Sequence, residues 1–172
     1  MNLPYVLDGD HVIAQTNACF SHLGRVLGLY GSTYAETVAV EQCLCQVMDL
    51  RNDAVGKFYG GSDDNFAGHL KSIAGHYEKF ELFLVQQGKG FLATDTPTAP
   101  DFHVFEMLDQ HEALAKFTKS DSPLAAFPLL TKYYEAFKAL PTLQAYFNGP
   151  LNQLPANNKM AAWGARPDGS TW

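Results

Sequence analysis

Few stretches of this chain place reactive side chains at a spacing that chemistry would require. Six histidines and three cysteines are present. His69 and His76 stand seven apart and share one helical face, but neither HExxH nor a cysteine cluster accompanies them, so no metal site is expected. Cys43 and Cys45, two apart in a helical pattern, point to different faces, and with Cys19 they make an odd set that suits a reducing compartment. No glycine-rich loop follows a strand, and no Ser-His-Asp arrangement is visible. What remains is polar groups at helix starts. Thr16 offers a hydroxyl and a backbone N–H at a helix N-terminus, which serves equally as a plain cap and as an anion site. Thr98-Ala99-Pro100-Asp101 fits a capping box, with Asp101 in the third helical position. Asp109, further along the same helix, is expected to be buried and to hydrogen-bond backbone at a neighbouring turn. Asp49 and Arg51 read as a solvated face, and Tyr59 as packing. Leu3-Pro4 reads as a proline at a strand start.

The elements that would position these groups follow from periodicity. Residues 5–8 and 11–14 are short apolar runs around Asp8-Gly9-Asp10, a strong hairpin signal. Thr16 or Asn17 then caps a helix with Cys19, Phe20, Leu23, Val26 and Leu27 on one side, ended by Gly28 and Gly31. From Ser32 onward nothing reads as strand. Residues 33–59 carry Val40, Leu44, Val47 and Met48 at helical spacing. Phe66, His69, Leu70, Ile73, Tyr77, Phe80 and Leu84 form a three-four stripe over a second long helix, stopped by Gly88 and Gly90. Phe102, Phe105, Leu108 and Leu114 mark a third, and Leu124, Phe127, Leu130, Tyr134 and Phe137 a fourth. Pro141 opens a short fifth with Leu143 and Phe147. Beyond Asn148 a tail is expected to pack back through Met160 and Trp163 and then fray.

With 172 residues, 47% hydrophobic and 17% charged, the chain is long enough to bury a core without disulfides or metals. A net charge of −6 argues against nucleic acid or an anionic membrane as the main partner. No apolar run approaches the roughly 20 residues that span a bilayer, and no basic-then-apolar leader is visible. A cytosolic compartment is the expectation.

Three local patterns together resemble the cytosolic glutathione transferases. They are Asn2-Leu3-Pro4 with the hairpin and Gln15-Thr16-Asn17-Ala18; Val47-Met48-Asp49 with Arg51; and FLATDTPTAPDFHVFEMLDQH (residues 91 to 111) followed by AFPLLTKYYEAFKALPTLQAYF (residues 126 to 147). They look like the mu class, with the sigma class as the nearer rival, and the similarity runs from residue 2 to about Trp163. The resemblance implies a mainly α fold: a partial thioredoxin-like ββα unit at 1–31, then an all-helical domain at 32–172 with its tail from about 149. It implies glutathione as co-substrate, no metal, and a hydrophobic electrophile as second substrate. The backbone of Leu3, in the cis-proline turn with Pro4, would pair with the cysteinyl part of glutathione. Gln15-Thr16 matches the family's Gln-Ser pair, so Thr16 would bind the γ-glutamyl carboxylate. Asp49 would reach the γ-glutamyl ammonium of a neighbouring subunit, and Tyr59 aligns with a hydroxyl near the electrophile pocket.

The resemblance also implies that this chain starts at the family's third strand and does not carry the catalytic tyrosine of the class. Two roles stay open. One is an enzyme whose missing unit a partner supplies. The other is a non-catalytic member acting as an interaction module or as a subunit of an assembly. A two-stranded hairpin is marginal alone and its open edge invites pairing, so a homodimer or a partner covering residues 3–7 is expected.

Overall fold

A computed structural model describes residues 3–166. Asn2 of the first motif and the end of the tail, where fraying is expected, lie outside them. The chain opens with two strands, Tyr5–Asp8 (β1) and His11–Ala14 (β2). They pair antiparallel with Tyr5 opposite Ala14 and Asp8 opposite His11. The turn residues are Gly9 and Asp10, and Gly9 takes φ 56°, a left-handed conformation that costs glycine nothing. Val6 and Ile13 form the half-buried pair, while Tyr5, Leu7 and Val12 remain exposed.

The first helix, Thr16–Val26 (α1), departs from expectation at its start. Gln15 holds the cap position and no side chain caps the helix. Neither Thr16 nor Asn17 does so, because Thr16 is already helical and the Asn17 amide donates instead to the Leu44 carbonyl at 3.2 Å. At the other end Gly24 is obligatory. A Cβ there would meet Tyr30 at 2.7 Å and Ala99 at 2.9 Å, so only glycine lets α1 lie this close to the helical body.

That body begins with Tyr34–Gly60 (α2), which Thr33 and Glu36 start with a full capping box. The Glu36 carboxylate accepts from the N–H of Ser32 (2.7 Å) and Thr33 (3.0 Å) and from the Ser32 hydroxyl (2.9 Å), which holds its carboxyl down at about 2. Val40, Cys43, Leu44, Val47, Leu50, Ala54 and Phe58 recur three or four apart along its buried face, whereas Cys45 is exposed. The stripe from Phe66 to Leu84 is not one helix. It is Asp63–Ser72 (α3) and Ala74–Gln87 (α4), broken at Ile73. There the Ser72 hydroxyl donates to the His69 carbonyl at 2.9 Å, sharing it with the Ile73 N–H, and such back-bonding bends helices.

Ala99–Thr118 (α5) is the central helix and packs on α1, α2, α3 and on Pro128–Lys138 (α6). Leu124 and Phe127 lie in the turn before α6, since Pro128 sets the first helical position. A 3-10 turn at Pro141–Leu143, the short helix Gln144–Phe147 (α7) and a second 3-10 turn at Pro150–Gln153 follow. The tail then returns through Trp163, which is 1% exposed and lies against Phe58. Both the Ala162 and Trp163 N–H groups donate to the Phe58 carbonyl near the end of α2. Met160, expected in this contact, is 75% exposed, because the Asn158 side chain draws its N–H into a local turn and Ala161 takes the buried place.

The two acidic residues of α5 divide their work differently from expectation. Asp101 is the buried one. Its carboxylate accepts from the Thr98 N–H (2.6 Å), the Thr98 hydroxyl (2.7 Å) and the Leu92 N–H (3.1 Å), joining the start of α5 to the preceding loop. Asp109 is half-buried and bonds no backbone; it accepts the Tyr134 hydroxyl of α6 at 2.6 Å. A Tyr at that height on α6 reaches the carboxylate before any free N–H does, because mid-helix amides are already used within α5. The core also encloses a polar chain. His69 and His111 meet Nε2 to Nε2 at 3.2 Å, and His111 Nδ1 meets the Tyr77 hydroxyl at 3.1 Å. Burial pushes His69 down to about 4 and His111 to about 3, so both rings are neutral at pH 7.

Candidate functional site

The site grows from the junction of the hairpin with α1. Leu3-Pro4 is a cis peptide, and Leu3 is exposed. Its backbone N–H and C=O bond no described residue. Cys19, one turn into α1 and buried, donates its thiol to the Pro4 carbonyl (3.7 Å) and the Ile13 carbonyl (3.5 Å). Leu3, Pro4, Gln15 and Thr16 are thereby collected around the first turn of one helix. His22 adds a second tie at 2.9 Å to Asp8 at the far end of β1.

Gln15 sits at φ 79°, ψ 131°, a conformation that L residues rarely adopt. Strain of this kind costs about 1–3 kcal/mol and concentrates at ligand clamps. Its carbonyl accepts the first helical bond, from the Cys19 N–H at 2.9 Å. The N–H groups of Thr16, Asn17 and Ala18 therefore have no partner within the helix, and no side chain caps them. The Thr16 hydroxyl bonds no described residue, and Thr16 is 9% exposed. Helix-end partial charge and three open donors together favour an anion there. The Asn17 amide anchors this turn to α2 through Leu44, while its Oδ1 is buried without a partner.

Two candidates stand apart from this group. Asp49 is exposed on α2 and makes no hydrogen bond or ion pair to a described residue, Arg51 included. Tyr59 is 39% exposed in the last turn of α2. It lies fifteen residues past the Leu44 carbonyl, roughly 22 Å along the helix axis. Thr98 and Asp101 form their capping box at the start of α5. The Ala99 N–H there donates to the Leu29 carbonyl at 2.8 Å, and the Leu29 N–H to the Gly24 carbonyl at 2.7 Å. The box thus holds the helical body against the end of α1.

Sequence reasoning missed the Gln15 conformation, which has no signature in residue type, and the anchors made by Asn17 and Cys19. It also missed the Thr33–Glu36 box, although Thr-x-x-Glu before an apolar run was there to be read.

Comparison with known proteins adds the following. The family described as Glutathione S-transferase, C-terminal domain, matches residues 48–149. Glutathione S-transferase P of Homo sapiens is 34% identical over 158 residues, which cover 90% of this chain and 73% of that protein. Glutathione S-transferase Mu 3 of Homo sapiens is 32% identical over 169 residues, 96% of this chain and 72% of that protein. Among solved structures, a pi-class glutathione S-transferase of Onchocerca volvulus aligns with a TM-score of 0.80 at 29% identity, covering 92% of this chain and 76% of that one. The glutathione S-transferase Blo t 8 aligns at 0.82 and 24% identity, over 95% of this chain and 76% of that one, a likeness of fold.

Proposed function

The chain belongs to the glutathione S-transferase family, and from that premise we propose that its β1–β2–α1 unit binds glutathione. The γ-glutamyl carboxylate takes the Thr16 hydroxyl and the open N–H groups of the first turn of α1. The cysteinyl part pairs with the backbone of Leu3 as an added strand would. Gln15, held at φ 79°, turns the chain so that these donors face outward together. Asp49 serves the γ-glutamyl ammonium of a neighbouring subunit, for which its exposure suits it. Tyr59 belongs to the wall for the electrophile. Residues 1–31 act as the glutathione-binding part and 32–172 as the helical part, with a tail from about 149, in a cytosolic protein. Its motifs are read as mu-like, with the sigma class as rival, while the P and Mu 3 relatives match at similar identity, 34% and 32%.

The family reaction joins the glutathione sulfur to an electrophile. A hydrogen bond to the sulfur favours the thiolate, which then attacks an electrophile held beside it. We read this chain as one that holds glutathione, and the motifs that carry the resemblance include no match to the family's thiol-activating tyrosine. The observation that carries it is the uncapped start of α1 behind a strained Gln15.

A second reading, a subunit whose partner covers residues 3–7, is favoured by the open edge of β1 and by Tyr5, Leu7 and Val12, exposed to 55%, 65% and 60%. Calorimetric titration with glutathione, with a chloronitrobenzene conjugation assay on the same sample, separates the possibilities. Binding without turnover is the expected result. Turnover by this chain alone would place a thiol-activating group outside those motifs. No binding overturns the glutathione site and leaves the subunit reading.

A further inference from the structure

Cys19 touches both halves of the proposed glutathione site. Its backbone N–H donates to the Gln15 carbonyl at 2.9 Å, the first bond of α1, and Thr16 lies in that same turn. Its thiol lies 3.7 Å from the Pro4 carbonyl and 3.5 Å from the Ile13 carbonyl. One S–H is thus shared between the residue ahead of β1 and a residue inside β2. The side chain is 5% exposed, and a cysteine sealed in this way is a donor rather than a nucleophile. Among the described residues, the other side-chain bond between the hairpin and α1 is that of His22 to Asp8, at the turn end of β1. On its opposite side α1 is fixed to the helical body, by Asn17 on the Leu44 carbonyl and Phe20 on the His103 ring. Those contacts hold the helix and leave its polar tie to the Leu3-Pro4 turn to Cys19.

We infer that Cys19 is a positioning residue for glutathione, an inference that rests on the reading of β1–β2–α1 given above. Its thiol sets the spacing between the open donors at Thr16, which take the γ-glutamyl carboxylate, and the backbone of Leu3, which takes the cysteinyl part. A ligand that bridges two subsites gains fully from the second only when the gap is already fixed, because otherwise binding must order it. Such sites tolerate displacements of about 0.5 Å. An S–H is a weak donor. Here it restrains a hairpin of two four-residue strands, which has little stability of its own. The Thr16 donors are held by the helix itself and do not depend on it.

Three substitutions separate the hydrogen bond from the volume of the side chain. Cys19→Ala removes the donor and leaves a gap, Cys19→Val removes the donor and fills the space, and Cys19→Ser keeps a donor. Each is titrated calorimetrically with glutathione, and with theanine in competition against glutathione. Theanine is a γ-glutamyl amide that carries the γ-glutamyl end and no cysteinyl part. Cys19→Ala and Cys19→Val are both expected to weaken glutathione about fivefold and to leave theanine unchanged. Cys19→Ser is expected to keep the wild-type affinity for both. Should Cys19→Ala or Cys19→Val fold poorly, as its melting curve shows, the other decides. Wild-type affinity in Cys19→Val, or equal losses for glutathione and theanine, would overturn the inference, since packing alone produces either. Failure of the wild-type chain to bind glutathione would overturn the glutathione reading and this inference with it; wild-type binding that Cys19→Val retains would overturn the inference alone.

Discussion

At Thr16 a single hydroxyl and three open N–H groups are asked to hold a carboxylate. A hydrogen bond to a charged group is worth about 1.5–3 kcal/mol. Thr16→Ala is therefore expected to weaken glutathione binding roughly 10- to 100-fold, while Thr16→Ser preserves it; equal affinity in the Ala variant by calorimetry would remove Thr16 from the site. His103 poses the opposite case. Its ring stacks on Phe20 at 4.8 Å and 6°, its Nδ1 is buried without a partner, and burial lowers it to about 4. His103→Phe keeps the stack and removes the orphaned nitrogen. It is expected to stabilise the fold by about 1 kcal/mol, read from the urea midpoint; a loss of stability would mean that the nitrogen is satisfied in solution.

Helix starts carry the strongest local logic in this chain. α2 and α5 begin with full capping boxes, whereas α1 begins with none. The N-cap residues of α3, α4 and α6 supply no side-chain cap either, so α1 is set apart by the strained Gln15 in front of its open donors. Asp101 anchors three donors in the core and Asp109 only one at its border. Asp101→Ala is thus expected to cost about 3 kcal/mol and Asp109→Ala about 1 kcal/mol. Chemical denaturation of both variants checks the order, and a reversed order would mean that the α5–α6 contact, not the start of α5, limits stability.

On the scale of the whole molecule, three histidines are buried in neutral form: His69 and His103 at about 4 and His111 at about 3. The unfolded chain takes up their protons near pH 6.5, and the folded chain does so only about two units lower or more. Between those limits the unfolded state binds more protons, so stability falls as pH falls. Each histidine contributes about 1.4 kcal/mol per pH unit, about 4 kcal/mol for the three together. The urea midpoint is expected to drop steeply from pH 6.5 to about 4 and to change little from 8 to 7. A flat profile between 6.5 and 5 would show that these rings titrate as freely as in the unfolded chain.

The sequence alone determined the kind of most elements, because apolar spacing and cap residues act over one or two turns. The hairpin, α1, α2 and α5 were legible from periods of 2 and 3.6, and Thr98-x-x-Asp101 from its pattern. The motifs also brought Leu3, Pro4, Gln15 and Thr16 under one family reading. Only the tertiary structure decided what depends on neighbours distant along the chain. Gln15 is forced to positive φ by the turn from β2 into α1, and Asn17 is drawn to Leu44 rather than to the helix start. Ser72 breaks a stripe that periodicity reads as continuous, since a shared carbonyl leaves the apolar spacing intact. His69, His111 and Tyr77 meet across 42 and 34 residues. Their burial is a property of packing three helices together, which no local pattern encodes.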